Sequence, residues 1–416
     1  MTSSLALMLV IGAATGGGPL TEADAVALAL QNSPQVKSRT HSFDEAQALT
    51  EAGLAWNNPQ LRLSGMRYDE LIDPMVDRRS YGSHPLYHSS IALRWSPPGL
   101  GERGARRAEG QANEADARMD LAIARRDTAA LVRKLHAQIL SYDAEMALDR
   151  EVIDQRGKLR GLVKSRLDQQ MATLLDHSLA EVDYLDARTE LAEMEVRRRA
   201  AYDQLVLQLG VPEGEDVKLA GGGETCTVAE PGAKLAERAQ AANPRLRLLE
   251  AQDRAVGAER TRRRLDLLPW FDYFQVGYGF SGDNNPSYIA FQLQLTLPLF
   301  DWKGPHRRAL AARHEALSER VRAENRMLSD LVLRTTSAQA QQAALVDRYR
   351  EAAAMVEGGL THLREALDKG KVTNLFEVVQ LQTRLLATKR SFLRAHLECK
   401  LQSIELDRLT SSGLDN

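Results

Sequence analysis

Past its N-terminus the sequence has no apolar run near the ~18 residues that a membrane-spanning helix needs, and its mean hydropathy is −0.36. A helical membrane protein is thereby excluded. A transmembrane barrel is not, because strands that alternate greasy and polar residues leave little trace in hydropathy. Basic excess is also missing: 54 Lys and Arg against 56 Asp and Glu leave a net charge of −2, so no nucleic-acid partner is expected. Cysteine is nearly absent. Cys226 and Cys399 are too few for a disulfide framework or a cysteine-rich metal site. The sequence leaves open whether they pair, through contact of the mid-chain region with the last helix, or stay free thiols.

Catalytic constellations are missing too. The nine histidines are scattered. His84 and His88 stand four apart in a predicted loop and strand start, where that spacing gives no shared helical face. The ten methionines form no cluster, and the glycines at 221–223 lack the Lys-Ser/Thr that completes a phosphate loop. No cofactor, no metal and no enzymatic activity are expected.

What is present begins with an apolar stretch, SLALMLVIGAA at residues 4–14, the length of a signal-peptide core and followed by small residues. Residues 1–18 are expected to be a signal peptide, although no Lys or Arg lies in them. The alternative is a disordered apolar N-terminus.

Prolines then divide the chain. None lies between Pro98 and Pro212 and none after Pro305. Proline inside a helix costs ~3 kcal/mol or more, so these two spans, rich in Ala, Leu, Arg, Glu and Gln, are free to form very long helices. The long helices are predicted from Arg103 to Gln169 and from His306 to Asp368, each on the order of 100 Å at ~1.5 Å per residue. No single core is that long, so they must lie side by side as coiled coils. The last helix shows such a seam in Leu375, Val379, Leu386, Leu393, Leu397, Leu401 and Ile404.

Aromatic residues gather between the prolines, and all four tryptophans, Trp56, Trp95, Trp270 and Trp302, mark the edges of two short windows. There the period changes to two. Ile289, Phe291, Leu293, Leu295, Leu297 and Leu299 alternate with Ala290, Gln292, Gln294 and Thr296, which describes a strand with one greasy and one wet face. Before it, Trp270, Phe274, Val276, Tyr278 and Phe280 share one parity, broken by Asp272. The Gly-Asp-Asn-Asn-Pro link at 282–286 is strong turn chemistry. Leu61 and Leu63 flanking Arg62, and Ile91, Leu93 and Trp95 alternating with Ala92 and Arg94, repeat the theme. Each window is predicted to be a β-hairpin.

The chain is also an internal tandem repeat. Pro34 and Pro59 stand 210 residues before Pro244 and Pro269; Pro98, Gly104, Asp168, Thr173 and Leu175 stand 200 before Pro298, Gly304, Asp368, Thr373 and Leu375. The lost ten residues fall inside the hairpins, so the first hairpin has the longer loop, around 73–85. Leading helices at 20–58, a hairpin at 59–98 and long and returning helices at 99–210 are followed by a linker at 211–233. Leading helices at 234–268, a hairpin at 269–300 and helices at 304–412 complete the plan. The fold class is mainly α with a small β part.

Strands in lipid must have both edges paired, because lipid satisfies no N–H or C=O, and small barrels need about eight strands to close. Four strands per chain therefore imply two, three or four chains if the hairpins are embedded. The bland alternative is a soluble four-stranded sheet covered by helices.

Leu20-Thr21-Glu22-Ala23 through Ala46 to Asn58-Pro59, Pro298-Leu299-Phe300-Asp301, and Gly370-Lys371-Val372-Thr373-Asn374-Leu375 carry a resemblance over nearly the whole chain. In their order and duplicated plan they resemble the outer-membrane efflux protein family, TolC-like. The resemblance implies a homotrimer with a 12-stranded transmembrane β-barrel on a long α-helical coiled-coil tunnel. It further implies the outer membrane of a Gram-negative bacterium, most of the chain in the periplasm, and passive transport in a tripartite efflux or type I secretion system. The implied partners are a periplasmic adaptor (membrane fusion) protein, an inner-membrane transporter of RND or ABC type, and outer-membrane lipid. One departure is Gln170 where the second repeat has Gly370.

Candidate functional residues cluster at the two helix reversals. Asp168 and Asp176 at the first, and Asp368 and Glu377 at the second, would form threefold acidic rings that constrict or gate the pore. Acidic residues also favour helix starts through the macrodipole, which serves Asp176 and Glu377 equally well; Asp168 and Asp368 end helices and are favoured for the pore. By the resemblance, Met171, Thr173 and Leu174 with Gly370, Val372 and Thr373 would contact the adaptor. Trp56, Trp95, Trp270 and Trp302 would form the membrane aromatic belt. Arginines at 103, 106, 107, 262–264, 307 and 308 would meet lipid phosphates or line the tunnel, a plain solvated face being the default reading. The rival functions are a soluble periplasmic coiled-coil adaptor or scaffold and an enzyme with a helical-bundle site; the aliphatic seam disfavours the second.

Overall fold

The computed structural model describes residues 19–68, 86–99, 101–211, 217–221, 226, 230–265, 270–281, 287–296, 304–368 and 375–411. The expected signal segment at 1–18, the hairpin loop at 73–85 with His84, the turn at 282–286, the stretch 298–303 with Trp302, and the second reversal at 370–374 lie outside the described residues. So does most of the linker, apart from Val211, 217–221, Cys226 and 230–233.

Eight helices and four strands follow the duplicated plan among the described residues. In the first half α1 (Glu22–Asn32) and α2 (Pro34–Gly53) precede β1 (Gln60–Tyr68) and β2 (Leu86–Trp95), then α3 (Glu102–Asp168) and α4 (Leu174–Leu209). In the second, α5 (Gly232–Ala242) and α6 (Pro244–Leu265) precede β3 (Trp270–Ser281) and β4 (Tyr288–Thr296), then α7 (Gly304–Asp368) and α8 (Leu375–Thr410). Their local causes are plain. Pro34 and Pro244 open α2 and α6 at the first helical position, where the missing N–H costs nothing. α3 and α7 run 67 and 65 residues, and the sequence between Glu102 and Asp168 offers no proline to stop the first of them. α4 ends on Gly210, whose φ of 63° is the left-handed conformation a glycine cap supplies.

Residues group into two compact units: Met1–His41, Met119–Leu246 and Ala323–Asn416 in one, Ser42–Arg118 and Arg247–Arg322 in the other. The first unit holds two core clusters that the repeat makes equivalent. Ala25, Val26 and Ala29 of α1 meet Val132, Leu135 and Ile139 of α3 and Leu205 and Leu209 of α4. Leu235, Ala236 and Ala239 of α5 meet Leu328 and Val332 of α7 and Leu406 and Leu409 of α8. Val132 and Val332, and Leu209 and Leu409, keep the 200-residue offset; Ala29 and Ala239 keep 210. The same apolar positions build the same core twice.

The linker is tied to the first unit. Leu20 and Leu219 form a parallel bridge, with the Leu20 N–H donating to the Lys218 carbonyl (2.7 Å) and the Ala220 N–H to that of Leu20 (2.8 Å). Cys226 is disulfide-bonded to Cys399 with Cα atoms 6.1 Å apart, inside the usual span of such bonds. The sequence had left that pairing open.

The second unit carries the sheet, in the order β1-β2-β3-β4 with every pair antiparallel. Beside it, Val256, Leu249, Leu310 and Leu317 form an apolar cluster between α6 and α7. Gly110 lets α3 approach α2: a Cβ there would lie 2.7 Å from the Thr50 side chain.

Candidate functional site

Strand periodicity gives the sheet two unlike faces. On one, Leu61 and Leu63 of β1, Ile91 and Leu93 of β2, Phe274 and Tyr278 of β3, and Ile289, Phe291, Leu293 and Leu295 of β4 are all exposed. The register aligns them in rows: Leu63, Ile91, Tyr278 and Ile289 form one, and Leu61, Leu93, Val276 and Phe291 the next. Leu63 and Phe291 are each 71% exposed. A band this large on a lone chain marks an interaction surface. The other face carries Arg62, Ser64, His88, Ser90, Arg94, Gln275, Tyr288, Gln292 and Gln294 by the same register.

The break at Asp272 has a structural cause. A β-bulge falls between Phe271 and Tyr273, so Phe271 pairs with Leu295 and Tyr273 with Gln294. One extra residue reverses the phase beyond it. Phe271 thus joins the greasy set, and Trp270 falls in register with Thr296.

Each outer strand has one neighbour only, β2 for β1 and β3 for β4. Their other edges leave N–H and C=O groups without a strand partner among the described residues. At the strand ends Trp56 and Trp95 lie with ring centroids 5.9 Å apart. The Trp95 indole N–H donates to the Asn57 carbonyl at 3.1 Å, and the Arg103 guanidinium sits 4.6 Å from the Trp56 ring. Two of the arginines noted near the strand ends are paired: Arg106 with Glu102 at 2.6 Å and Arg262 with Glu109 at 2.8 Å.

The first helix reversal is built from two named motifs. Past Asp168, Gln170 takes a left-handed φ of 61°. Its N–H donates to the Leu167 carbonyl (2.9 Å) and that of Met171 to Arg166 (2.7 Å), the two bonds of a Schellman cap. Gln170 does this where Gly370 stands in the other repeat. Thr173 then caps α4: its hydroxyl accepts from the Asp176 N–H (3.1 Å), while the Asp176 carboxylate accepts from the Thr173 N–H (2.9 Å) and hydroxyl (2.7 Å). That reciprocal pair is a capping box. The bond from the Thr173 backbone, then the one from its hydroxyl, holds the Asp176 carboxyl below the usual range. Asp176 therefore has a local structural task. Asp168 is exposed at the end of α3, and Met171, Leu174 and Leu175 stand out at 74%, 71% and 67% exposure. At the second reversal Asp368 ends α7 and Glu377 lies in the first turn of α8; Gly370, Val372 and Thr373 are outside the described residues.

Sequence reasoning missed a buried ionic network in the first unit. Glu145 and Asp149 of α3 are both 2% exposed. The Arg394 guanidinium donates to Glu145 at 3.3 Å; Arg390 donates to Asp149, and at 2.9 Å to Glu190 of α4. Burial opposes the Arg390 charge, and the bonds to Asp149 and Glu190 outweigh it, so its pKa rises above the ordinary arginine value. The spacing of Glu145 and Asp149 at i and i+4 is one signal that could have flagged it.

A concavity of about 800 Å³ in the same unit is floored by Ala137, Leu140, Phe392 and Leu393. Its charged groups are taken up internally: Glu22 holds Arg133 (3.6 Å) and Lys400 (3.2 Å), and Arg350 holds Asp347 (3.0 Å). Among the described residues no group of three or more His, Cys, Asp or Glu could hold a metal ion, and no helix is long and apolar enough to cross a membrane.

The chain has the fold of solved outer-membrane channels. It matches the outer membrane protein VceC from Vibrio cholerae with a TM-score of 0.73 at 13% identity, over 94% of this chain and 95% of that one. The open-state MtrE outer membrane channel of Neisseria gonorrhoeae gives 0.72 at 14%, over 93% and 88%. A membrane protein from Pseudomonas aeruginosa gives 0.74 at 20%, over 94% and 92%. No family model matches the chain, and no curated protein matches its sequence.

Proposed function

We propose that this chain is the outer-membrane exit duct of an efflux or type I secretion assembly, working as a homotrimer. One observation carries the reading: an open four-stranded sheet with one greasy face, one polar face and two edges unpaired among the described residues, on the fold of outer-membrane channels. Lipid tolerates a sheet only when its edges are closed. Three copies bring twelve strands, enough to close, and put every greasy residue against hydrocarbon and every polar one against water.

In this reading solute crosses passively, and the energy comes from an inner-membrane transporter of RND or ABC type. A periplasmic adaptor docks at the helix reversals, through Met171, Thr173 and Leu174 at the first and Gly370, Val372 and Thr373 at the second. Asp168 and Asp368 narrow the bore as acidic rings, with Glu377 beside the second. Trp56, Trp95, Trp270 and Trp302 sit at the membrane interface, and the neighbouring arginines reach lipid phosphates.

The test is fractionation of cells expressing the full chain, followed by planar-bilayer recording. The reading expects a heat-modifiable trimer extracted from outer membranes by detergent, with channel conductance. Leu93→Arg, on the greasy face, should block insertion at a cost of ~2–4 kcal/mol per chain. A monomer soluble without detergent would overturn the reading and favour a periplasmic scaffold.

A further inference from the structure

We propose that the polar face of the sheet is a cationic band that makes the membrane section of the duct prefer anionic solutes, with Arg62 and Arg94 as the selecting residues. The inference rests on the duct reading and gives it a substrate class: solutes carrying net negative charge, such as carboxylates, sulfonates or phosphates.

Register sets the geometry. Arg62 lies in a row with Ala92, Gly277 and Ala290; Arg94 lies in the next row with Gln60, Gln275 and Gln292. The two rows are about 7 Å apart, two residues along a strand. Ala92 on β2, the strand that flanks β1, is too small to cover the Arg62 guanidinium, and Arg62 is exposed. Arg94 stacks on the Tyr273 ring, 3.3 Å from its centroid, which fixes its head against the sheet and leaves its N–H groups for a ligand. Glutamines around it add neutral donors and no competing charge.

Neither arginine is paired with a carboxylate among the described residues, whereas other arginines of this unit, Arg106 and Arg262, are. On the strands the nearest acidic residue by register is Asp272, in the bulge. Arginine brings a cationic group with five N–H donors suited to carboxylate and phosphate. Trimer closure repeats it threefold around one bore, where low-dielectric walls focus the field and concentrate counter-ions.

The experiment is a reversal-potential measurement on the full chain in planar bilayers of neutral lipid under a tenfold KCl gradient, near 0.1 M so that the Debye length is about 10 Å. The acidic rings proposed at the reversals lie in series with the band, so the quantity read is the change in permeability ratio between variants rather than its absolute value. Arg62→Gln with Arg94→Gln should lower the chloride-to-potassium permeability ratio by roughly three- to tenfold, the size expected for a few charges lining a bore of about 10 Å radius in water. Arg62→Lys with Arg94→Lys should keep the wild-type preference, because charge and not guanidinium packing sets it. An unchanged potential in the glutamine pair shown to form trimers would overturn the inference and leave the duct intact. Absence of any conductance from wild-type trimer would instead remove the duct, and this inference with it.

Discussion

Arg390→Met should cost this protein about 3 kcal/mol and reveal how α3, α4 and α8 are held together. Asp149 is 2% exposed, and Arg390 is its cationic partner in the structure. Removing Arg390 leaves a carboxylate out of water with nothing to compensate it. Losing one partner of a buried pair typically costs 3–5 kcal/mol. The lower end applies here, because the Arg390 side chain is 23% exposed and Glu190 50%, so water can reach part of the site. With an unfolding entropy of about 2.1 cal/mol/K per residue, a cooperative unit of a few hundred residues would lose roughly 5 °C in Tm. The assay is thermal unfolding followed by helix ellipticity in detergent. Arg390→Met with Asp149→Leu should recover most of the loss, since replacing both partners by apolar groups of similar size is close to neutral. A single variant within 1 °C of wild type, or a double variant as unstable as the single, would refute this account.

Five further variants have expected outcomes. Cys226→Ser should lower stability by about 2–5 kcal/mol and abolish the mobility difference between reduced and unreduced protein on denaturing gels. Thr173→Ala should cost ~1 kcal/mol by opening the capping box, while Gln170→Gly should gain up to about 1 kcal/mol by relieving a left-handed non-glycine residue; hydrogen exchange at the start of α4 reports both. Glu405 accepts from Lys134 at 2.7 Å and from Arg408 at 2.6 Å; burial works against its charge, but these bonds hold its pKa below the ordinary 4.5. A lowered carboxyl pKa stabilises above the unfolded value and loses that contribution as pH falls through the folded one, so Glu405→Gln should be destabilised at pH 7 and converge on wild type only as pH falls below the ordinary glutamate range in acid unfolding curves. If Asp368 rings the bore as proposed, Asp368→Asn should weaken block of the channel by multivalent cations; unchanged block would remove Asp368 from the proposed gate.

Much of this architecture is written in single-residue chemistry. Proline positions bound the long helices because one proline breaks the i→i−4 ladder wherever it falls. The greasy face of β4 is legible because its alternation runs unbroken from Ile289 to Leu295. β3 is less so: the bulge at Asp272 depends on how β3 pairs with β4, and a period-two reading assigns Trp270 and Phe271 to the wrong phase. Asp176 was a symmetric choice between pore and helix start; only the bonds to Thr173 show what its carboxylate does.

The ionic network fails to show in the sequence for a deeper reason, which the repeat itself explains. Glu190 and Arg390 stand at the 200-residue offset and are equivalent positions of the two halves, yet they pair with each other at 2.9 Å. When a duplicated surface meets its own copy, an identical residue at that position would face itself, and a charged one would repel its twin. Opposite charges at equivalent positions remove the repulsion and add an attraction. A repeat search scores such a pair as a mismatch, since it rewards likeness. In a chain built from two copies, equivalent positions of opposite charge are therefore candidates for contact across the two halves.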